Sequence, residues 1–495
     1  MNIVTHTCGF QFDSLEQDAF EVLRLVMSMK NSLAPINKLP PEVLSHIPDY
    51  YCADRTDRDL IASTHVCRRW RDTFISSSSL WTRFDFTCVD KTRTYIERSR
   101  SSSLKFRFMG FKVTDEAFTL VAPHIRRLKS LTIDVSVPKS FLRNFHSVPL
   151  LEKLDINWRF DKALDNEPSN GDLSSLRELR LCGVVTHFPW INLSNLRIVD
   201  LKLHRHSYGT TEILDFFVSS PLLHTVSLRY SIPVSSDASP ERIVPLHCLK
   251  DLTVVTTSSP SILLHHLHIP TGASVILEFP SNGAESPFPD YLPKSCPNSD
   301  HISNITAINL LFNSTGTSLR LSGPSGNLRL LNSRRYDPPE AGQILRSLCP
   351  VISTTDRLAI FGYNRRGPVG VKYCPIFRAL SSANNLRTLI LADCTFSRFT
   401  RVLDPSQILF NLLLCPNMEN LILYAKSWSL PSVISLISMA KNRASRGAKL
   451  SSITIVGLDD PAPREVLELK EHVTHVEDRV DDGWRAWDDV PGDGW

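Results

Sequence analysis

The sequence predicts an α/β chain. A small all-helical module comes first, and an irregular horseshoe-shaped solenoid of strand-and-helix units follows. Two observations carry this. Residues 35–84 place apolar side chains at helical spacing between proline and serine breaks, and from about residue 95 to 476 an L-x-x-L-x-L pattern recurs at clear intervals of 20–32 residues.

Ahead of the module, residues 1–34 read as an amphipathic helix. Ser14-x-x-Gln17 has the form of a capping box for a helix over about 15–29. Leu15, Ala19, Val22, Val26 and Met29 share one of its faces. Asp13, Glu16, Asp18 and Glu21 precede the apolar stretch and Arg24 interrupts it, a pattern unlike a secretory signal.

The module reads as two short helices. Pro40 and Pro41 suit a helix start, because a first-turn residue does not need its N–H. Glu42 complements the positive end of the dipole. Val43, Leu44 and Ile47 form a short stripe, and Pro48 is expected to end it. Asp49 to Asp57 reads as a loop and Thr56-x-x-Asp59 as a second capping box. The helix after it carries Leu60, Cys67, Trp70 and Phe74 on one side, widened by Ile61 and Val66. Arg68, Arg69, Arg71 and Asp72 are left to solvent. Ser76 to Ser79 break the helix, and Leu80-Trp81 follow as an apolar plug. A unit this small is marginal alone, so the remaining chain or a partner must cover it.

The order Leu39-Pro40-x-Glu42-x-Leu44-x-x-Ile47, Leu60, Val66-Cys67-x-x-Trp70, Leu80-Trp81 resembles an F-box of the fungal type. The resemblance implies docking on a Skp-type adaptor and, through it, on the cullin of an SCF ubiquitin ligase. The adaptor contacts it implies fall on Leu39, Pro40, Leu44, Ile47, Val66, Trp70, Leu80 and Trp81. Pro48 and the long loop after it depart from the family pattern.

The strand pattern starts at Leu128, Leu151, Leu176, Leu196, Leu223, Leu249, Ile305, Leu386, Met418 and Leu450, with weaker cases at Ser274 and Thr355. Return helices are expected over 211–221, 260–270, 404–416 and 431–440, and another from Pro338-Pro339-Glu340 to near Cys349. Each unit is too small to bury its own apolar side, so the units must stack. The array resembles the leucine-rich-repeat class of F-box proteins. The Asn usual after the strand is mostly missing, as at Cys182-Gly183 and Ala392-Asp393, so its hydrogen-bonded ladder is expected to be incomplete. Ser281 to Asp300 reads as an insertion, and residues 477–495 as an acidic tail in which Trp484, Trp487 and Trp495 interleave seven acids.

The bulk numbers narrow the function. A net charge of +4 from 55 basic and 51 acidic residues gives no argument for nucleic acid. No run reaches the roughly 18 apolar residues of a membrane span. Eleven cysteines without a CxxC pair read as reduced thiols of a cytoplasmic or nuclear protein. Cys296, Cys349, Cys374 and Cys415 each precede a proline and read as small apolar residues at helix or turn ends. No phosphate loop, H-E-x-x-H or G-x-S-x-G elbow is present, and Gly362, Gly367 and Gly370 make no dinucleotide fingerprint. His265-His266-x-His268 lacks a completing ligand. Asp459-Asp460, Asp488-Asp489, Arg334-Arg335 and Arg365-Arg366 read as solvated surface. The expectation is a non-catalytic subunit without cofactor or metal: a substrate receptor whose module holds the adaptor and whose solenoid holds a target protein of unknown identity. The alternative is an interaction scaffold that uses the F-box outside ubiquitination.

Overall fold

The structure, a computed structural model, describes residues 4–51, 57–85, 88–109, 115–134, 148–157, 173–182, 193–202, 209–229, 238–239, 241–256, 260–279, 305–313, 316–324, 326–332, 348–362, 375–392, 394, 396–407, 413–424, 430–456 and 463–479. The chain forms two compact units, Met1–Leu193 and Ser194–Trp495.

The first unit opens with α1, Val4–Leu33. It is longer than the sequence suggests, and Ser14 lies inside it rather than capping it. No proline interrupts residues 4–33, so propagation costs little once the helix exists. Pro35 then starts a 3-10 turn, Pro35–Lys38. α2 spans Pro41–Tyr51 and runs past Pro48, where the sequence predicts a stop. Only the last turn lies beyond the proline, so the loss is confined to one hydrogen bond toward the Leu44 carbonyl. Pro48 is itself buried, which offsets part of that loss.

The second predicted helix is two, α3 (Asp57–Thr64) and α4 (Arg68–Ser76). Side-chain hydroxyls loosen the end of α3: Ser63 Oγ donates to the Asp59 carbonyl and Thr64 Oγ1 to the Ile61 carbonyl, both at 2.7 Å. Cys67 is therefore an extended N-cap residue, φ −158°, and not part of a helical stripe. A 3-10 turn over Ser78–Trp81 leads into β1, Arg83–Asp85.

After it come α5 (Val89–Ser99), β2 (Leu104–Met109), α6 (Asp115–Val121), β3 (Leu128–Asp134), β4 (Lys153–Asn157) and β5 (Glu178–Cys182). These strands pair in parallel in chain order, β1 to β5. The register aligns Leu131 with Leu154 and Leu179, and Ile133 with Ile156 and Leu181. Each of these is buried, because alternate residues of a strand share one face.

The second unit contains β6 (Ile198–Lys202), α7 (Thr210–Ser219), β7 (Thr225–Arg229), β8 (Val244–Pro245), β9 (Asp251–Val255), α8 (Ser261–Leu264), β10 (Leu267–His268) and β11 (Ser274–Phe279). Then follow β12 (Ala307–Asn313), β13 (Gly316–Gly323), β14 (Gly326–Asn332), α9 (Cys349–Ile352), β15 (Arg357–Phe361), α10 (Pro375–Ser381), β16 (Thr388–Ala392) and α11 (Phe396–Leu403). Last are β17 (Asn420–Tyr424), α12 (Leu430–Ala444), β18 (Ser452–Val456), α13 (Pro463–His472) and β19 (His475–Arg479).

β6, β7, β9 and β11 pair in parallel. The next neighbour of β11 is β14, not β12. β14, β13 and β12 form an antiparallel meander, and β12 hands over to the parallel run β15 to β19. The meander was not legible as repeats, and it breaks their order. The Pro- and Ser-rich stretch 281–300 falls in the β11–β12 connection, outside the described residues. The expected helix from Pro338 and the acidic tail beyond Arg479 also lie outside them.

All twelve predicted strand starts lead into strands. Two return helices hold, α7 and α12. The 260–270 segment is helical only over α8, because Leu267–His268 pairs with Val244–Pro245 instead. Around 404–416 the helix precedes the predicted segment, as α11, and only a 3-10 turn, Pro405–Gln407, lies in its described part.

A shared backbone device ties successive units. At several junctions one carbonyl at the start of a strand accepts two consecutive N–H groups from the next unit. Glu152 O receives Arg177 N (2.8 Å) and Glu178 N (3.0 Å), Arg387 O receives Glu419 N and Asn420 N (both 2.9 Å), and Glu419 O receives Ser451 N (2.8 Å) and Ser452 N (3.1 Å). Asparagine contributes at the end of β4, where Asn157 Nδ2 donates to Asp134 Oδ1 at 2.9 Å, and also ahead of later strands. Asn385 Nδ2 donates to the Ser353 carbonyl at 3.0 Å and Asn417 Nδ2 to the Asn384 carbonyl at 2.9 Å.

Candidate partner-docking surface

The helical module closes on a polar hub, Asn37, buried in the 3-10 turn after α1. Its Oδ1 accepts the Trp70 indole N–H at 2.7 Å, and its Nδ2 donates to the Asn31 carbonyl at 2.6 Å. Arg69 reaches back from α4 to the Leu39 carbonyl at 2.5 Å. These bonds fix α4 and the start of α2 to the end of α1. Buried polar groups that are fully paired specify a single arrangement.

The eight residues that the sequence assigns to adaptor contact fall into two sets. Leu44, Leu80 and Trp81 are 0–1% exposed, inside the chain. The Trp81 indole donates to the Phe74 carbonyl at 2.7 Å and its ring meets Tyr95 edge-on at 5.0 Å. The Arg98 guanidinium lies 4.3 Å over the Trp81 ring. Leu80-Trp81 thus anchor the module to α5 as core. The second set reaches the surface. Leu39, Ile47 and Trp70 are half-buried, Pro40 is exposed, and Val66 is 57% exposed.

Ile36 (41%), Val43 (48%) and Ile61 (38%) add exposed apolar surface that sequence reasoning left out of the contact set. Val43 and Ile61 each stand one residue from a buried leucine, Leu44 and Leu60. One step along a helix turns a side chain by about 100°, enough to move it off the core face. That rotation was the available signal. Arg68, Arg71 and Asp72 are exposed, as expected.

Other candidates resolve into structure. The His266 ring is buried and its Nδ1 lies 2.8 Å from the Arg242 carbonyl, while His265 stands at 82° to it. Neighbouring imidazoles therefore do not converge. Cys415 is buried, and its thiol donates to the Leu380 carbonyl at 3.4 Å. Cys349 begins α9 rather than ending a helix. Among the described residues no disulfide forms and no helix is long and apolar enough to cross a membrane. The Arg334-Arg335 and Arg365-Arg366 doublets, Gly367, Gly370, Asp459-Asp460, Asp488-Asp489, Cys296 and Cys374 lie outside the described residues.

A second surface lies at the entry edge of β15 to β18. An open groove of about 520 Å³ is lined by Asp356, Arg387, Glu419 and Lys449, with Asn385 and Asn417 between them. One charged residue comes from each successive unit, and the signs alternate.

Comparison with known proteins agrees with the module. The F-box-like family matches residues 36–87. No curated protein matches the chain. Among solved structures, that of TLR13 in complex with ssRNA13 aligns with 78% of this chain and 48% of its own, at 13% identity and a TM-score of 0.33. The chain spans about half of the length of that protein. The chain carries an F-box-like domain at 36–87, a protein-interaction module of a kind that generally binds Skp1-type adaptors, followed by a large strand-rich sheet region.

Proposed function

We propose that the chain is the substrate-recognition subunit of an SCF ubiquitin ligase of the fungal type, acting in ubiquitin-dependent degradation in the cytoplasm or nucleus. The F-box-like segment holds a Skp-type adaptor and through it a cullin. The strand region, an irregular leucine-rich-repeat-like solenoid, holds the target protein. The chain itself does no chemistry. It raises the effective concentration of target beside the transferring subunit. The observation that supports this reading is the F-box-like match at 36–87, with Val43, Ile61 and Val66 exposed on its surface.

The test is co-expression with a Skp-type adaptor and purification through the adaptor. A stoichiometric complex is expected, and Val66→Asp should weaken it. Val66 is exposed, so that change leaves the fold intact, whereas Leu44→Ala cuts into the core. Absence of a wild-type complex at micromolar concentration would sink the proposal. Adaptor captured without cullin would favour a scaffold outside ubiquitination.

A further inference from the structure

Every residue of α1 from Ser14 to Leu33 is exposed, including Leu15 (63%), Val22 (61%), Val26 (55%), Met29 (67%) and Leu33 (74%). A helix of this length draws its stability mainly from burying an apolar face, and α1 buries none of these residues within its own chain. So large an exposed apolar surface marks an interaction site.

The pattern says what covers it. Leu15, Ala19, Val22, Val26, Met29 and Leu33 follow each other at alternating steps of four and three. This is a heptad seam with Ala19, Val26 and Leu33 at a and Leu15, Val22 and Met29 at d. Ser14, Gln17, Glu21, Arg24, Ser28 and Asn31 fall on the opposite side, where Arg24 pairs with Glu21 at 2.8 Å.

We infer that α1 is a self-association helix, and that two copies of this chain pair through it as an antiparallel coiled coil. Packing favours that direction. Antiparallel pairing sets small Ala19 against long Met29 of the second copy, Leu15 against Leu33 and Val22 against Val26. A parallel pair would stack Ala19 on Ala19 and leave a void. Charge favours it too. In the antiparallel register, flanking e positions meet e positions, so Glu16 of each copy faces Lys30 of the other, with Leu23 on Leu23 between the two ion pairs. In a parallel pair, g positions face e positions: Asp18 would face Leu23, Leu25 would face Lys30, and neither ion pair forms. Phe20 and Met27, both exposed, widen the apolar surface on the Leu23 flank.

The experiment is the mass of the purified full chain by light scattering and sedimentation across micromolar concentrations. Wild type should run at twice the chain mass. Val22→Asp with Val26→Asp should give monomer. Glu16→Lys alone and Lys30→Glu alone should each weaken the dimer about tenfold at low salt, and the two together should restore it. That rescue needs no core change, so it reads pairing and direction even if the aspartate variant disturbs the helix. Monomeric wild type, a dimer that survives the paired aspartates, or charge reversals that fail to restore each other would overturn the inference. So would a monomer that binds phosphatidylcholine vesicles through the same residues.

Discussion

In β3, β4 and β5 of the first unit, buried residues alternate with Thr132, Lys153, Asp155, Asn157, Glu178 and Arg180, which remain partly or fully exposed. In β15, β16 and β18 of the second unit, the corresponding residues past the first, Ala359, Phe361, Ile390, Ala392, Thr454 and Val456, are buried, and only the first of each strand, Arg357, Thr388 and Ser452, stays partly exposed. Ala359, Phe361, Ile390 and Ala392 form one cluster, with Leu311, Ile422 and Tyr424 packed against it. Both regions are parallel sheet with the same unit-to-unit backbone bonds, so backbone does not explain the difference. A strand covered on both faces reads as a continuous apolar run, and a half-covered one alternates. ELRLC and TLILA are these two cases. The early strands present a wet, charged face, where Lys153 and Arg180 both bind Glu178 at 2.8 Å. β15, β16 and β18 present no such face beyond their first residues, whereas β17 between them alternates, with Asn420, Ile422 and Tyr424 partly exposed. A target held by the strand face is therefore expected on the early units, with the alternating charges of the 356–449 groove as the accessible surface of the late ones.

The contrast breaks if a charge is tolerated in the late cluster. Ile390→Asp puts an unpaired carboxylate among buried apolar groups and should cost about 4 kcal/mol or more in denaturant unfolding. Gly362→Ala should be nearly as severe, about 3 kcal/mol. Gly362 sits at φ +70°, and an added Cβ would run into the Phe312 carbonyl oxygen. Full stability of Ile390→Asp would mean that the late face is open, and full stability of Gly362→Ala would mean that the close approach to Phe312 is not rigid.

Arg443 sharpens the same point. It is 0% exposed, and its guanidinium donates to the Leu414 carbonyl at 2.7 Å and the Cys415 carbonyl at 2.8 Å. It thereby ties down a left-handed residue, Cys415 at φ +47°. Arg443→Ala orphans both carbonyls and should cost about 2–3 kcal/mol. The early counterpart is mild. Glu178→Ala removes the centre of a half-exposed charge cluster and should cost under about 1 kcal/mol.

The contrast was half visible in the sequence. The L-x-x-L-x-L starts located the strands because one apolar layer is obligatory in either region. Which face the second layer takes depends on what covers it, and TLILA alone does not say. β13 and β14 were missed because SLRLS and NLRLL carry the alternation but not the six-residue repeat, and the turn signal Gly323-Pro324-Ser325-Gly326 between them marks a hairpin. In the module, apolar spacing gave the face of each helix, but the break at His65–Cys67 came from hydroxyl–backbone bonds. The burial of Leu80 and Trp81 followed packing against α5. The downstream partners Tyr95 and Arg98 lie outside the motif, so its spacing could not show Leu80 and Trp81 as core.

The last expected effect is a pH dependence, seen only at alkaline pH, of the late units. Burial raises the Cys415 thiol from its ordinary 9.0 to about 12, against the opposing pull of the Arg443 cation. The unfolded chain ionises this thiol first as pH rises. Its contribution is thus complete below pH 9 and is lost as pH climbs from 9 toward 12, at most about 1.4 kcal/mol per unit. Cys415→Ala should flatten that part of the stability curve between pH 9 and 10.5 in a paired comparison with wild type. Thiol labelling at pH 8.5 gives a second reading, since exposed Cys88 should react well before Cys415. If wild type and variant lose stability in parallel, the thiol ionises within the fold, and the late units are wetter than their buried faces imply.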